Sequence, residues 1–502
     1  MQSREELKRA ILSEFGDYNI YSESIYRAGG CVLFLAKDMG QKLLVVVEEE
    51  TGSAFDRFVG PQVYHPSGKR VKEAPLQPVN AGIVRELLPF TAPVALGATG
   101  LSLGLGDRLG VASPGHLRLI KKTGVRPVLA QQSVRELTLT NRTYSDVLDA
   151  ATWAVLQEGY EGGFGADGDH LKTAEEIKGA LDLGFTMITL DASAHIDNTV
   201  GQKAAKQVAE LYHTLPADYT ADMEEHYLGK AFIVGGMAIT FDTETLQRLV
   251  LTYGKALAFM GYIYHTLIVN AGREVDFEIS IDETATPTTP AAHYFVASEL
   301  GRMGVKFTSL APRFCGEFQK GIDYIGDLYQ FEDEFKRHAA IADHFGYRLS
   351  IHSGSDKFSV FPIIGQYTRG RVHIKTAGTN WLEALRVVAR INPALFREIY
   401  AFAGEVFGEA KKYYHVTTDL TRLPDVAAMA DDGLPTVLDH NDARQMLHIT
   451  YGLVLTAANA DGSYRFKDAL YELLFDHEDE YYAALERHIG RHLEKLTENL
   501  KG

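Results

Sequence analysis

Two cysteines, Cys31 and Cys315, are all that 502 residues contain, too few and too far apart for a disulfide framework or a thiolate zinc site. Both are expected to be small buried apolar side chains. No run approaches the roughly 18 consecutive apolar residues of a membrane span, which excludes a helical crossing. The opening Met1-Gln-Ser-Arg-Glu-Glu-Leu-Lys-Arg is charged and helix-like with no apolar signal core, so the expected location is the cytoplasm. Basic residues are outnumbered, 50 Lys plus Arg against 66 Asp plus Glu for a net charge of −16, which opposes binding to nucleic acid or an anionic membrane. Nucleotide motifs are missing too. The glycine-rich stretches Gly100–Gly106 and Gly159–Gly165 match neither dinucleotide nor P-loop spacing, and no GxSxG nucleophile elbow occurs.

What the sequence does have is alternation. From about residue 100, short β-rich apolar runs alternate with helix-length segments, the pattern of a parallel sheet with crossover helices. Nine strand candidates emerge: 101–106, 125–130, 163–167, 185–191, 231–240, 277–282, 305–311, 349–352 and 371–375. Eight fit a (β/α)8 barrel of the TIM type, so one of the nine is a decoration. Helix signals lie between them: Ser113-Pro114 reads as an N-cap with a first-turn proline, Thr173 with Glu176 reads as a capping box, and 324–345 is a long charged amphipath. His265, His293 and His338 fall on helices and read as packing or surface residues. The expected organisation is an N-terminal extension over 1–90, with a turn-rich stretch over 61–78, then the barrel over 91–420 and a C-terminal helical region over 421–502 ending in the amphipath 478–500.

In such barrels the C-terminal rim of the strands is the reaction face. Period-two alternation points Glu278, Ser280 and Asp282 inward while Phe277, Ile279 and Ile281 face the helices, and likewise points Arg348, Ser350 and His352 inward. His352 then sits at a strand end beside the loop Ser353-Gly-Ser-Asp-Lys357, and Asp169-His170 sits in a strand-to-helix loop before Thr173. His170, His352 and one carboxylate make a donor set for zinc, manganese, nickel or cobalt, and Glu317, in the loop after 305–311, is the preferred third ligand. Asp169, Glu278, Asp282 and Glu283 are the acid and base candidates. Arg313, Lys357, Lys375 and Arg108 lie in rim loops where they could hold an anionic group, with Ser353, Asp356 and His373 as further substrate contacts.

The segments GADGDHLKTAEEI, SIDETATPTTP, VKFTSLAPRFCGEFQKGIDYIGD, SIHSGSDKFSVFPIIG and VHIKTAGTNWLEALR resemble the tagaturonate epimerase family over most of residues 80 to 420. The resemblance implies a metal-dependent carbon-4 epimerase interconverting D-tagaturonate and D-fructuronate, with related activity on fructose and tagatose. Its substrate is then a small keto-hexuronate or ketohexose, and the oligomeric state, a homo-oligomer included, stays open. The hydrogen on carbon 4 is not adjacent to the carbon-2 ketone, so direct abstraction gives no stabilised enolate, and retro-aldol cleavage between carbons 3 and 4 is the economical route. In that scheme Asp169 takes the carbon-4 hydroxyl proton and Glu278, with Asp282 and Glu283 as alternatives, protonates the new alkoxide from the other face. Proton transfer at carbon 3 is the competing route. A class II aldolase, an aldose-ketose isomerase and a non-catalytic sugar-binding barrel remain the rival readings.

Overall fold

The computed structural model describes residues 3–38, 40–66 and 68–500; Met1 and Gln2 of the charged opening and Ser67 of the turn-rich stretch lie outside the described residues. Eight strands close into a barrel: β1 Ser102–Gly104, β2 Arg126–Ser133, β3 Gly165–Leu171, β4 Met187–Asp191, β5 Asp276–Ile281, β6 Ser309–Pro312, β7 Arg348–Ile351 and β8 Val372–Lys375. Every neighbouring pair is parallel, and β8 returns to β1 through His373 opposite Ser102. The candidate over 231–240 is the decoration. It forms an antiparallel hairpin of Ala231–Val234 and Met237–Thr240, turned by Gly235 and Gly236, both at positive φ, as a two-residue hairpin turn requires.

Alternation holds where it was expected. Phe277, Ile279 and Ile281 join the apolar cluster between barrel and helices, while Glu278 points inward to Lys375 and the Arg348 guanidinium donates across the interior to Ser102 at 2.8 Å. Two helix starts differ from expectation. The helix at Ser113 is capped by the Asp107 carboxylate, which accepts the Ala112 amide at 2.6 Å, so Ala112 and not Ser113 is the N-cap. The long amphipath begins at Leu328, because Asp327 caps it and residue 325 is engaged in a bridge to residue 317. His293 and His338 are buried against each other at 2.8 Å, and His265 is exposed. Cys31 and Cys315 are free and buried.

Before the barrel stands a six-stranded sheet centred on Cys31–Asp38 and Gln41–Glu48. Its alternate residues serve two apolar clusters, Val32, Phe34 and Val45 against helix Arg4–Glu14, and Leu33, Leu35, Leu44 and Val46 toward Trp153 and Leu156 of α1 (Tyr144–Glu158). The Thr173 and Glu176 capping box opens α2 (Ala174–Leu183) as expected. Later helices are α3 (Phe361–Thr368), α4 (Thr379–Ile391), α5 (Asn441–Thr456) and α6 (Glu478–Thr497), with a short helical turn carrying α6 to Leu500. Among the described residues no helix is long and apolar enough to cross a membrane.

The terminal helix is clamped to the barrel with no slack. A Cβ at Gly365 of α3 would lie 1.9 Å from the Leu496 carbonyl oxygen of α6. Gly365→Ala therefore forces the two helices apart and is expected to cost about 1–3 kcal/mol, the usual penalty of overpacking. A denaturant midpoint equal to wild type would show that α6 is free to shift.

Candidate active site

The rim ends of β3, β5 and β7 build the site. Asp167 and Asp169 both reach Lys375, so both point into the barrel, and strict alternation would turn His170 away toward the helices. A bulge prevents this: Ile188 pairs Gly168 while Leu190 pairs Leu171, leaving Asp169 and His170 opposite a single β4 residue, and His170 takes a left-handed φ of 56°. Asp169 and His170 thus belong to the end of β3 and not to the loop before α2, and the bulge turns His170 over the barrel mouth. His352 follows directly after β7 and Asp282 directly after β5. The two imidazole rings stand 4.6 Å apart between centroids. One donor atom each from His170, Asp282 and His352 lies within 4.8 Å of the others, a set suited to a borderline divalent ion.

The surrounding charges support that use. The His352 Nε2 donates to Glu278 at 2.8 Å, and Nδ1 faces Asp282 at 3.1 Å, the arrangement in which one carboxylate orients an imidazole and leaves its other nitrogen for an ion. Burial works to lower the His352 pKa, yet Asp282 and the bond to Glu278 push it up to about 10, the mark of a pocket that favours added positive charge. Buried Asp282 is in turn held below the usual carboxylate range by His352. His170 Nδ1 is buried and faces the Asp191 carboxylate at 3.7 Å, beyond hydrogen-bond distance. A second group, His170 with Asp191 and Glu283, is spaced for an ion too, but Lys172 already stands 3.1 Å from Asp191 and 3.6 Å from Glu283 and neutralises it.

Beneath the imidazoles lies a buried lysine. Lys375 Nζ is 2.9 Å from Asp167, 2.6 Å from Asp169, 3.0 Å from Glu278 and 2.7 Å from the Thr189 hydroxyl. Burial alone would lower its pKa, but the three carboxylates hold it well above the ordinary value. Burial raises Asp167 to about 6 against the pull of Lys375, whereas in Asp169 the lysine and the two imidazoles win and keep the carboxyl below its usual range.

A cavity of about 510 Å³ opens above, lined by Asp169, His170, Asp191, Asp282, Glu283, His352 and Lys375 among others. Several expected site residues are engaged otherwise or stand beside this cavity. Glu317 is half-exposed beside His415 at 3.6 Å and outside the imidazole cluster, five residues beyond the end of β6; with Arg313 it lines an adjoining cavity of about 300 Å³ that shares Asp282, His352 and Ser353, and Asp282 is the carboxylate that stands with the imidazoles. Glu278 is fully buried, with its oxygens accepting from Ser309 and Thr189 and facing His352 and Lys375, and it does not line the cavity. Lys375 lines the cavity but is committed to carboxylates. Lys357 is buried, its pKa pushed down to about 7, and spends its three donors on the carbonyls of Gln319, Ile322 and Ser355. Asp356 pairs with Arg444 at 2.6 Å and His488 at 2.9 Å away from the cavity. His373 bonds Ser102 inside the barrel at 2.8 Å, its pKa lowered by burial to about 3. Arg313 donates to the Thr284 carbonyl. Ser353 and Arg108 do line the cavity.

Lys320, His448, Gln131 and Asp191 also line it and were not singled out from sequence. Asp282 had a readable signal, since it follows β5 just as His352 follows β7. His448 had none, because it comes from α5, beyond the barrel.

Lys375→Met strips the ammonium from three buried carboxylates. Stability should fall by about 3–5 kcal/mol at pH 8. Without the lysine the folded-state carboxyl pKa values rise above their unfolded values, so stability is present at low pH and lost as pH rises. The variant's denaturant midpoint should therefore be higher at pH 5 than at pH 8, and a pH-independent midpoint would rule out this account of the network.

Comparison with known proteins places this architecture. The tagaturonate epimerase (UxaE) family model matches residues 21–496. The chain is 42% identical over 480 residues to the tagaturonate/fructuronate epimerase of Thermotoga maritima, covering 95% of this chain and 97% of that protein. Crystal structures of the fructuronate-tagaturonate epimerase from Cohnella laeviribosi superpose with a TM-score of 0.93, the native form at 50% identity and a one-glycerol complex at 51%, each covering 97% of this chain and 99% of the other. The chain belongs to the tagaturonate epimerase family and is an isomerase.

Proposed function

We propose that this protein interconverts D-tagaturonate and D-fructuronate by inverting carbon 4, through retro-aldol cleavage and re-addition, with a divalent cation held by His170, Asp282 and His352. The observation that carries the reading is the half-identical likeness to a fructuronate-tagaturonate epimerase over 97% of the chain, with the imidazole and carboxylate cluster of His170, Asp282 and His352 at the mouth of the barrel cavity in support. When bound, the cation supplies Lewis-acid stabilisation of negative charge on the oxygens of carbons 2 and 3.

The chain's own groups handle the protons. Lys375 keeps Asp169 ionised at neutral pH, so its carboxylate is ready to accept the carbon-4 hydroxyl proton. As that proton leaves, the bond between carbons 3 and 4 breaks; its electron pair passes to the carbon-2 oxygen, and carbon 4 becomes the aldehyde of a three-carbon fragment. Rotation about the bond between carbons 4 and 5 presents the other face of the aldehyde. Carbon 3 re-attacks, and the new alkoxide takes a proton. Glu278 is too deep to give it directly, so the second proton-handling group is Glu283, which lines the cavity from the end of β5 and is exposed enough to exchange with solvent. In the reverse direction the two carboxylates exchange roles, as inversion between two faces demands. Phe318, Tyr413 and Tyr414 on the cavity wall limit water around the cleaved fragments.

The test is incubation of metal-loaded protein with tagaturonate and, separately, fructose, with the epimers resolved by chromatography. Formation of fructuronate is expected, and unchanged tagaturonate would end the proposal. Trapping a three-carbon aldehyde supports cleavage, whereas solvent isotope entering carbon 3 supports proton transfer there instead. Asp169→Asn should lose about 10²- to 10⁴-fold in kcat with metal content retained. Chelation should abolish turnover and added zinc, manganese, nickel or cobalt should restore it; full activity in chelator would exclude the cation from the reaction.

A further inference from the structure

We infer that the carboxylate of the hexuronate docks against Lys320, His448 and the first turn of α4, and that this corner of the cavity selects uronates over neutral ketohexoses. The inference rests on the function proposed above and assigns the substrate's charged end.

Lys320 reaches the cavity from the loop after β6 and makes one hydrogen bond, to the Ser353 hydroxyl at 2.9 Å. It forms no ion pair within 4 Å among the described residues, although an ammonium carries three donors. A cation removed from bulk water with two donors unspent calls for an anion. His448, from α5, is 1% exposed, lines the same cavity, and has no hydrogen-bond partner on either ring nitrogen. Buried polar groups of this kind are ordinarily satisfied, so a ligand is the natural partner.

The imidazole is held in place by two glycines. A Cβ at Gly378 would lie 1.9 Å from His448 Nε2, and one at Gly321 would lie 3.3 Å from the His448 Cβ, so any larger residue at 378 would displace the ring from the cavity. Gly378 is also the N-cap of the 13-residue helix α4, and no side chain caps that end. Its amides therefore carry the positive end of a helix dipole toward a cavity whose lining includes Ala377 and Gly378. The loops after the seventh and eighth strands, with a helix N-terminus, are where (β/α)8 barrels most often hold anions.

Two arginines line the cavity near Lys320, and Arg135 donates to the Tyr413 carbonyl at 3.1 Å and lies 5.4 Å over the Tyr414 ring. Arg108 bonds Glu136 at 2.7 Å and lies 3.9 Å over the Tyr451 ring, so it contributes potential but few donors. Lys172 is already set between Asp191 and Glu283 at the mouth, so in a chain of net charge −16 an anionic substrate needs a positive contact of its own.

The experiment compares metal-loaded wild type with Lys320→Met, Lys320→Arg and His448→Gln, using tagaturonate and tagatose. Methionine fills the lysine's space without a buried charge, so the variant should fold, which its melting temperature checks. Lys320→Met should raise KM for tagaturonate about 10- to 100-fold with kcat changed by less than about threefold, as loss of a charge-assisted contact predicts. Lys320→Arg should recover most of that loss, and His448→Gln should raise KM in the same sense. Any ketohexose turnover should be spared, so the ratio of kcat/KM for tagaturonate over tagatose falls. An unchanged KM, a loss confined to kcat, or equal losses for both sugars would overturn the inference while leaving the epimerase intact. A wild-type protein that leaves tagaturonate unchanged would instead remove the proposed function, and this inference with it.

Discussion

The Lys375 ammonium, buried among Asp167, Asp169 and Glu278, is the interaction on which the rest of the site depends. Three carboxylates in a barrel interior repel one another and lose their hydration, and each would take up a proton if left alone. One cation set among them reverses that for Asp169 and Glu278, and the consequence passes upward. Glu278, kept ionised, accepts from His352; His352, held at that nitrogen, turns the other toward Asp282; and Asp282 with the two imidazoles forms the donor set at the mouth. Lys375 was expected from sequence to hold a substrate anion. In the structure it lines the cavity with its ammonium held by three carboxylates, which ties β8 to β3 and β5 across the interior.

This arrangement explains the backbone strain found at the mouth. His170 and Ser353 both adopt left-handed φ values, uncommon for residues with a side chain. A regular β3 could send Asp169 inward or His170, but not both, because neighbours alternate. The bulge removes that choice: Asp169 keeps its bond to Lys375 below while His170 joins His352 above. Such strain persists only where surrounding contacts over-determine it, and the four oxygen partners of Lys375 on one side and the α2 capping box on the other do so.

These contrasts show what a sequence can carry. The barrel was legible because period-two runs with branched residues recur at regular intervals, and the ninth run misled because the hairpin over 231–240 has the same apolar composition while its Gly235-Gly236 turn was read as interior to a strand. Candidate site residues at strand ends were legible for the same reason: His352 and Asp282 immediately follow their strands, and His170 lies one residue before the end of β3. Glu317, five residues beyond β6, was chosen by loop membership, which says nothing of direction. The fates of Lys357 and Asp356 were hidden as well, since their partners come from carbonyls of the loop after β6 and from helices more than 80 residues away. Long-range pairing of this kind leaves no local period.

The C-terminal helices α5 and α6 are bonded to the rim loops that flank the cavity. Arg444 of α5 donates to the Gly321 carbonyl at 2.7 Å and to Asp356 at 2.6 Å, joining the loop after β6 to the loop after β7. His488 and His492 of α6 grip the same Asp356, whose φ of 61° is a strained value that these partners fix. The rim loops flanking the cavity thus have their geometry set from behind by helices that never touch the imidazole cluster. A barrel truncated after α4 would retain every imidazole and carboxylate of the donor set yet lose His448 and the clamp on both loops. That dependence accounts physically for a family likeness that runs to residue 496 instead of stopping where the barrel closes.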